Sequence, residues 1–600
     1  MTKTLKLLKN DIVKNFHIWY NIKKYKRKKA GTMFQNYEFR LQYRINGSDV
    51  INAIGGETED YAVFTESTEN TVRYILKPKK ELELINAYLS GAYAYAENDR
   101  VFINGYQSWT TTREYRKNDV QKGLSGLGKY QPVKFLVDFF GDYKFQNYSN
   151  QPGKFHSYSY TYVNSDGKVA LFGTTNERTG YTVFHHDMNR GRMLVQKDLE
   201  GVTTSGEYAV FELYSTTGAY EEVFDAYFDH LAFPKPRLNH LAGYTSWYNY
   251  YGHISEKIIL RDLEGLSKVG KHADIFQIDD GYQSKVGDWQ CNYKTFPSGI
   301  KSVVDKIHEK GYLAGVWMAP FSAAFDSKVA KDHPEWLIKV PGTNKTQLGV
   351  ISWGGGGTLD FYIPEAAEHI KNFFNRVINE WGFDMVKLDF LYSVCVTPRR
   401  GKSRGQIMCE AMDFLRECVG EKTLILGCGV PLFPSFGVVD ACRISCDVSK
   451  GFGGEFLEKN TNRELPSAKN AMTNTMFRRH LNGRVFVNDP DVFYLRKNNL
   501  KYEDPLFVNC GKLKFTEEQK DLLAEVNNMC GDVLFVSDNV GGYDEKQLEK
   551  AKKYFAKSER KVIDVEYLDE RTIAITYEES GQNYKLSFDV KTGENKRERI

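Results

Sequence analysis

With 600 residues the chain is too long for a single core, and at roughly 150 residues per domain it divides into two to four domains. Its 41% hydrophobic and 26% charged residues exclude a disordered or fibrous chain. The net charge of +4 conceals an asymmetry: ten Lys or Arg stand against one Asp in residues 1–30, so the remaining body is mildly acidic and offers no basic face for nucleic acid.

In chain order, residues 1–33 read as a basic N-terminal tail. They hold no apolar run followed by small residues, so they are a poor secretory signal, and a true start at Met33 is an alternative reading. No stretch of ~18 apolar residues follows anywhere, which excludes a membrane-spanning helix. Residues 34–235 alternate in the manner of β-strands, as in Arg40-Leu-Gln-Tyr-Arg44 and Val72-Arg-Tyr-Ile-Leu76. Turn pairs such as Asn46-Gly47 and Asp166-Gly167 split them, predicting an N-terminal β-sandwich domain.

After Pro234 and Pro236 the texture changes. Apolar residues at helical spacing (Ile300, Val303, Val304, Ile307, and again Ile370, Phe373, Phe374, Val377, Ile378, Trp381) alternate with short apolar runs. The runs fall at 241–247, 274–281, 312–320, 383–390, 423–429, 438–447, 485–491 and 533–538. Eight buried strands with intervening helices predict a (β/α)8 TIM-like barrel over residues 236–540, although the fifth and sixth runs leave no room for a full helix between them. Alternation returns in Thr572-Ile-Ala-Ile-Thr576 and Tyr584-Lys-Leu-Ser-Phe588, a small C-terminal β-domain over 541–600. The expected fold class is therefore multidomain, α/β and β.

The nine Cys all lie between Cys291 and Cys530. An odd number confined to one half is a poor disulfide framework and suits a reducing cytoplasm. No pairing with His at metal-ligand spacing occurs, so neither a metal nor another cofactor is expected.

Chemistry concentrates at the ends of the predicted barrel strands. These carry Trp247 and Tyr248 after the first, Asp279 and Asp280 after the second, Trp317 on the third, and Lys387 and Asp389 on the fourth. Cys428 and Gly429 close the fifth, Arg443 and Asp447 the sixth, and Asn488-Asp-Pro-Asp491 the seventh. A barrel delivers its strand C-termini to one mouth, so these side chains should converge. One acidic strand end reads equally as a helix cap, and Asp538 and Asp491 fit that role. Several carboxylates at one mouth are costly unless used, and an acidic, aromatic mouth suits glycoside hydrolysis by a carboxylate pair. Lys387, two residues before Asp389 on the same strand face, would favour the ionised form a nucleophile needs.

The stretch from Gly243 to Asp491 resembles glycoside hydrolase family 36, the α-galactosidase (melibiase) family. The resemblance rests on Ser246-Trp-Tyr-Asn249, Gln277-Ile-Asp-Asp-Gly-Tyr282, Gly315-Val-Trp-Met-Ala-Pro320, Lys387-Leu-Asp-Phe390, Leu426-Gly-Cys-Gly429, Arg443-Ile-Ser-Cys-Asp447 and Asn488-Asp-Pro-Asp491 in order. It extends more weakly to Asn104-Gly-Tyr-Gln-Ser-Trp109. It implies a retaining enzyme with Asp389 as nucleophile and Asp447 as acid/base. Asp279 and Asp280 would bind the C4 and C6 hydroxyls, Lys387 and Arg443 other polar groups, and Trp317 would form an aromatic wall. Cys428 and Gly429 would edge the pocket near C2. Trp109 is either a lid from the N-terminal domain or a core residue of that domain. Two features depart from the family pattern: Ser445-Cys446 before Asp447, and the glycine run Trp353-Gly-Gly-Gly-Gly357, which reads as a flexible loop.

An α-galactoside is the expected partner. An α-N-acetylgalactosaminidase or an α-galactosyl transferase of the same fold, and a binding protein that has lost catalysis, stay as alternatives. Self-association into a homo-oligomer is also expected from the resemblance.

Overall fold

The computed structural model describes residues 33–131, 133–134, 141–452, 465–497 and 513–600; the basic tail predicted for residues 1–33 lies outside them except for Met33. All eight predicted barrel strands form, at Leu241–Thr245, Ile275–Ile278, Leu313–Met318, Met385–Leu388, Leu424–Gly427, Ala441–Arg443, Val487–Asp489 and Val533–Val536. They hydrogen-bond in parallel in chain order, and the eighth pairs with the first. The seam between the seventh and eighth is closed by the Asp532 amide, which donates to the Asn488 carbonyl, and by a parallel bridge just past the seventh strand, where the Phe493 amide donates to the Phe535 carbonyl. Strands walled on both faces carry continuous apolar runs, and Ile275, Phe276 and Ile278 are fully buried.

Helices at Glu256–Ser267, Ile300–Glu309, Pro364–Asn375, Arg404–Val419, Ala468–Phe477, Glu517–Cys530 and Glu545–Phe555 surround the barrel. The predicted stripe Ile300, Val303, Val304 and Ile307 is wholly buried. The third helix begins with Pro364 in its first turn, where a missing N–H costs nothing. No helix stands between the fifth and sixth strands; a short 3-10 turn, Phe433–Ser435, takes its place. The bare flank is covered from the N-terminal side. Phe228, on the helix Tyr220–Leu231, meets Phe436 edge to face, and Phe233 does the same to Phe433 and Phe436.

The N-terminal residues form two antiparallel sheets, one of six strands and one of seven. Their facing sides share a core that includes Leu41, Tyr43, Val72, Tyr74 and Leu76, the inward positions of the predicted alternation. The sandwich is pinned to the barrel by Arg404, whose guanidinium meets both Asp198 carboxylate oxygens at 3.0 Å and Glu200 at 2.6 Å. At the other end a four-stranded antiparallel sheet runs from Lys561 to Arg599. The division expected at residue 540 is displaced. Glu545–Phe555 packs on the eighth strand and on the helix Glu517–Cys530, with Ala551 and Phe555 buried, so it completes the barrel before the C-terminal sheet begins.

Candidate active site

The barrel mouth gathers the predicted residues around Asp389, which follows the fourth strand immediately. Its backbone amide donates to the Met318 carbonyl at 2.8 Å, which continues the ladder one residue past the strand. One carboxylate oxygen accepts from the Trp317 indole at 3.1 Å, and the other from the Phe390 amide at 2.8 Å. Withdrawal from water raises the carboxyl above its usual range. Lys387, Trp317 and the Phe390 amide pull it back, and the charge of Asp447 pushes it up again.

Lys387 is buried, and its ammonium pairs directly with Asp279, Nζ to Oδ2 at 3.0 Å, rather than with Asp389. This corrects the expectation of a Lys387–Asp389 pair and of a low nucleophile pKa. Burial works against the ammonium, but the adjacent Asp279 outweighs it and the group stays charged. Asp279 is crowded. Oδ2 also accepts from Gln277 at 2.8 Å and Thr245 at 3.4 Å, while Oδ1 takes the Asp280 amide at 2.9 Å. Asp280 is less encumbered, holding Gln283 on one oxygen and the Trp353 indole on the other at 2.8 Å. Burial raises its pKa and the Asp279 charge adds to the rise, while Trp353, Gln283 and the Gly281 amide counter it.

Across the mouth, fully enclosed Arg443 reaches three carboxylates: Asp447 at 3.1 Å, Asp489 at 3.2 Å and Asp491 at 2.8 Å. Asp447 is the exposed member, its side chain 42% accessible. Asp491 is therefore no helix cap. The turn through Pro490 places it at φ 76°, where it also accepts from the Tyr248 hydroxyl and, at 2.7 Å, from the Val448 amide. Burial pushes its carboxyl up to about 7, with Arg443 opposing the rise. Asp538 is no cap either. It accepts from the amides of Leu495 and Arg496, while Asp544 caps the following helix.

Trp109 belongs to the site. The N-terminal segment Asn104–Thr112 is stitched into the barrel, with Ser108 donating its amide to the Val430 carbonyl at 2.9 Å and Thr112 donating to Asn474 at 2.9 Å. The Trp109 ring lies edge to face with Phe390 (5.5 Å) and Tyr392 (5.6 Å). It also presses on Gly429, where an added Cβ would come within 2.9 Å of it at φ 56°. Cys428 lies beside Gly429, and burial keeps its thiol neutral. Trp247 contributes less; it is half-buried and meets Tyr251 edge to face at 4.9 Å, away from the residues that hold Asp389.

Residues 246–411 match the family model of melibiase. That stretch of the chain is similar to melibiase. A galactosaminidase of Flavonifractor plautii, described as an A type blood alpha-D-galactosamine galactosaminidase, is 31% identical over 150 residues, 24% of this chain and 14% of that protein. Alpha-galactosidase 1 of Pediococcus pentosaceus is 28% identical over 140 residues, 21% of this chain and 18% of that protein. The chain thus matches less than a fifth of the length of either relative. Among solved structures, the α-galactosidase of Thermus thermophilus in complex with p-nitrophenyl α-D-galactopyranoside superposes with a TM-score of 0.64 at 22% identity. That likeness covers 87% of this chain and 98% of that one.

Within this fold three site residues escape a reading of the sequence. Trp353 hides in its glycine run, yet that run is built into a two-stranded ladder, Ser322–Ala324 with Gly356–Thr358. Phe390 reads as a strand residue but turns to φ 56° and lines the wall. Asp491 resembles a cap, and only its partners Arg443 and Tyr248 reveal it. Among the described residues no cluster of three or more His, Cys, Asp or Glu is arranged to hold a metal ion, and no helix is long and apolar enough to cross a membrane.

The electrostatics make one pH prediction. Lys387 lowers the Asp389 carboxyl, so Lys387→Met should move the acid limb of the kcat/KM profile to higher pH, because the carboxylate then forms less readily. An unmoved acid limb would remove Lys387 from this role.

Proposed function

We propose that the protein is a retaining α-galactosidase that removes terminal α-linked galactose from an oligosaccharide or glycoconjugate. The observation that carries this reading is the Asp389 carboxylate, held by Trp317 and the Phe390 amide at the end of the fourth strand, with Asp447 on the far side of the same mouth. Asp389 attacks the anomeric carbon as its bond to the leaving oxygen breaks, and Asp447 gives that oxygen its proton. Asp447 then takes a proton from water, whose oxygen displaces Asp389 and restores both carboxyls. Asp280 is the acceptor best placed for a sugar hydroxyl, and Trp317, Trp353 and Trp109 provide stacking surface. Steady hydrolysis of nitrophenyl α-galactoside by the purified protein tests the reading; hydrolysis of no α-glycoside would end it. The free cysteines, most of them buried, support a cytoplasmic setting.

The likeness to the Flavonifractor protein favours a second reading, preference for a galactosamine or N-acetylgalactosamine unit. Against it stands Trp109, which fills the space over Gly429 on the side where the family resemblance puts C2. Trp109→Ala should therefore raise the ratio of N-acetylgalactosaminide to galactoside hydrolysis, by roughly tenfold for the removal of one packed ring. A constant ratio would place the C2 selectivity elsewhere.

A further inference from the structure

Trp353 has figured so far only as stacking surface, but its backbone and its N–H give it a second part. It stands at φ 57°, a region a bulky residue rarely occupies, and Gly354 and Gly355 follow at φ 80° and 98°. The loop thus bends back and lays the indole across the pocket. The ring meets Trp317 at 5.8 Å and Phe390 at 5.5 Å, the two residues whose N–H groups hold Asp389. Its own N–H is spent on Asp280 Oδ2. Beyond it lies a cleft of about 350 Å³, lined by Asp280, Gln283, Lys285, Asn292, Asp326 and Trp353, so the indole divides that cleft from the wall around Asp389.

Asp279 has Oδ2 committed to Gln277, Lys387 and Thr245. Asp280 takes Gln283 on one oxygen and the Trp353 indole on the other, with the Gly281 amide as a weaker third donor, which leaves lone-pair capacity for a ligand. A carboxylate on a single rotatable stem recognises a hydroxyl selectively only when its plane is fixed, and Trp353 and Gln283 fix it from opposite ends. We infer that Trp353 is a positioning residue for sugar recognition, which aims the Asp280 carboxylate at a ring hydroxyl and makes the glycine-rich loop 351–357 a specificity element. This inference rests on the galactosidase reading.

Trp353→Phe keeps a ring against Trp317 and Phe390 but removes the donor. On nitrophenyl α-galactoside it should lower kcat/KM by roughly tenfold, the value of one hydrogen bond to a charged group. On the 4-deoxy or the 6-deoxy galactoside, whichever lacks the hydroxyl that Asp280 binds, the same substitution should have little effect. Combined with Asp280→Asn, it should add almost nothing to the loss from Asp280→Asn alone. Equal losses on all three substrates, or losses that multiply in the double variant, would mean a merely structural ring and overturn the inference. A second readout needs no turnover. In protein labelled with fluorotryptophan, saturating galactose should shift the Trp353 fluorine resonance, and Asp280→Asn should abolish that shift. No shift overturns the inference whatever the hydrolysis assay gives, whereas a shift without hydrolysis overturns only the proposed activity.

Discussion

Asp389→Ala should lower kcat on nitrophenyl α-galactoside by about 10⁴-fold or more while leaving the thermal transition nearly unchanged. The residue lies just past its strand and half-buried, so its removal costs two charge-assisted contacts but no packed core. The chemistry loses far more, because without the carboxylate no covalent intermediate forms. The cavity left by the side chain gives a sharper check. Azide should enter it, attack the anomeric carbon from the same face and restore part of the turnover, releasing β-galactosyl azide. Unimpaired hydrolysis in the variant, or an azide product of α configuration, would remove Asp389 from the nucleophile's role. In the unsubstituted protein a fluorinated galactoside should label the peptide that contains Asp389, and no other.

Arg478→Met should be the most damaging substitution outside the carboxylates. Arg478 is fully buried and donates to the Asn104 side chain and to the carbonyls of Gln107, Ser108 and Ile444. Three of those acceptors lie on the segment that carries Trp109, and the fourth adjoins Arg443. Loss of the guanidinium strands four buried acceptors, which should cost about 4 kcal/mol, at the low end of the usual penalty for each. Denaturant unfolding should report this as a lower midpoint. Activity should fall as well, since one side chain ties the segment carrying Trp109 to the strand end that bears Asp447, the proposed acid/base. A variant with unaltered midpoint and turnover would show that the Asn104–Thr112 segment holds its place without Arg478.

The barrel was largely legible in the amino-acid sequence, because parallel strands covered on both faces must be apolar throughout. Runs such as Ile275-Phe276-Gln277-Ile278 announce themselves without any knowledge of their neighbours. Polar residues at the ends of such runs were equally visible, and Asp389, Asp280 and Arg443 were found in this way. Partnerships were not. Lys387 and Asp389 share a strand face, which suggested a pair, but inward side chains of a barrel lie in layers drawn from alternate strands. Lys387 on the fourth strand therefore meets Asp279, just past the end of the second. Trp353 was hidden for a different reason. A run of four glycines reads as freedom, and only the fold shows that this freedom is used to reach positive φ and turn an indole inward. Asp491 needed the left-handed turn after Pro490, which no periodicity announces.

The missing fifth helix joins the two halves of the molecule through packed rings as well as ion pairs. Phe433, Phe436 and Phe486 cluster on that flank, and the chain upstream of the barrel supplies Phe228 and Phe233 to shelter them. Gene rearrangement that parted residue 233 from residue 433 would leave these rings in water, at roughly 1.5–3 kcal/mol for each ring fully uncovered. The sandwich and barrel thus share one buried seam, and a barrel cut loose at residue 236 should expose it.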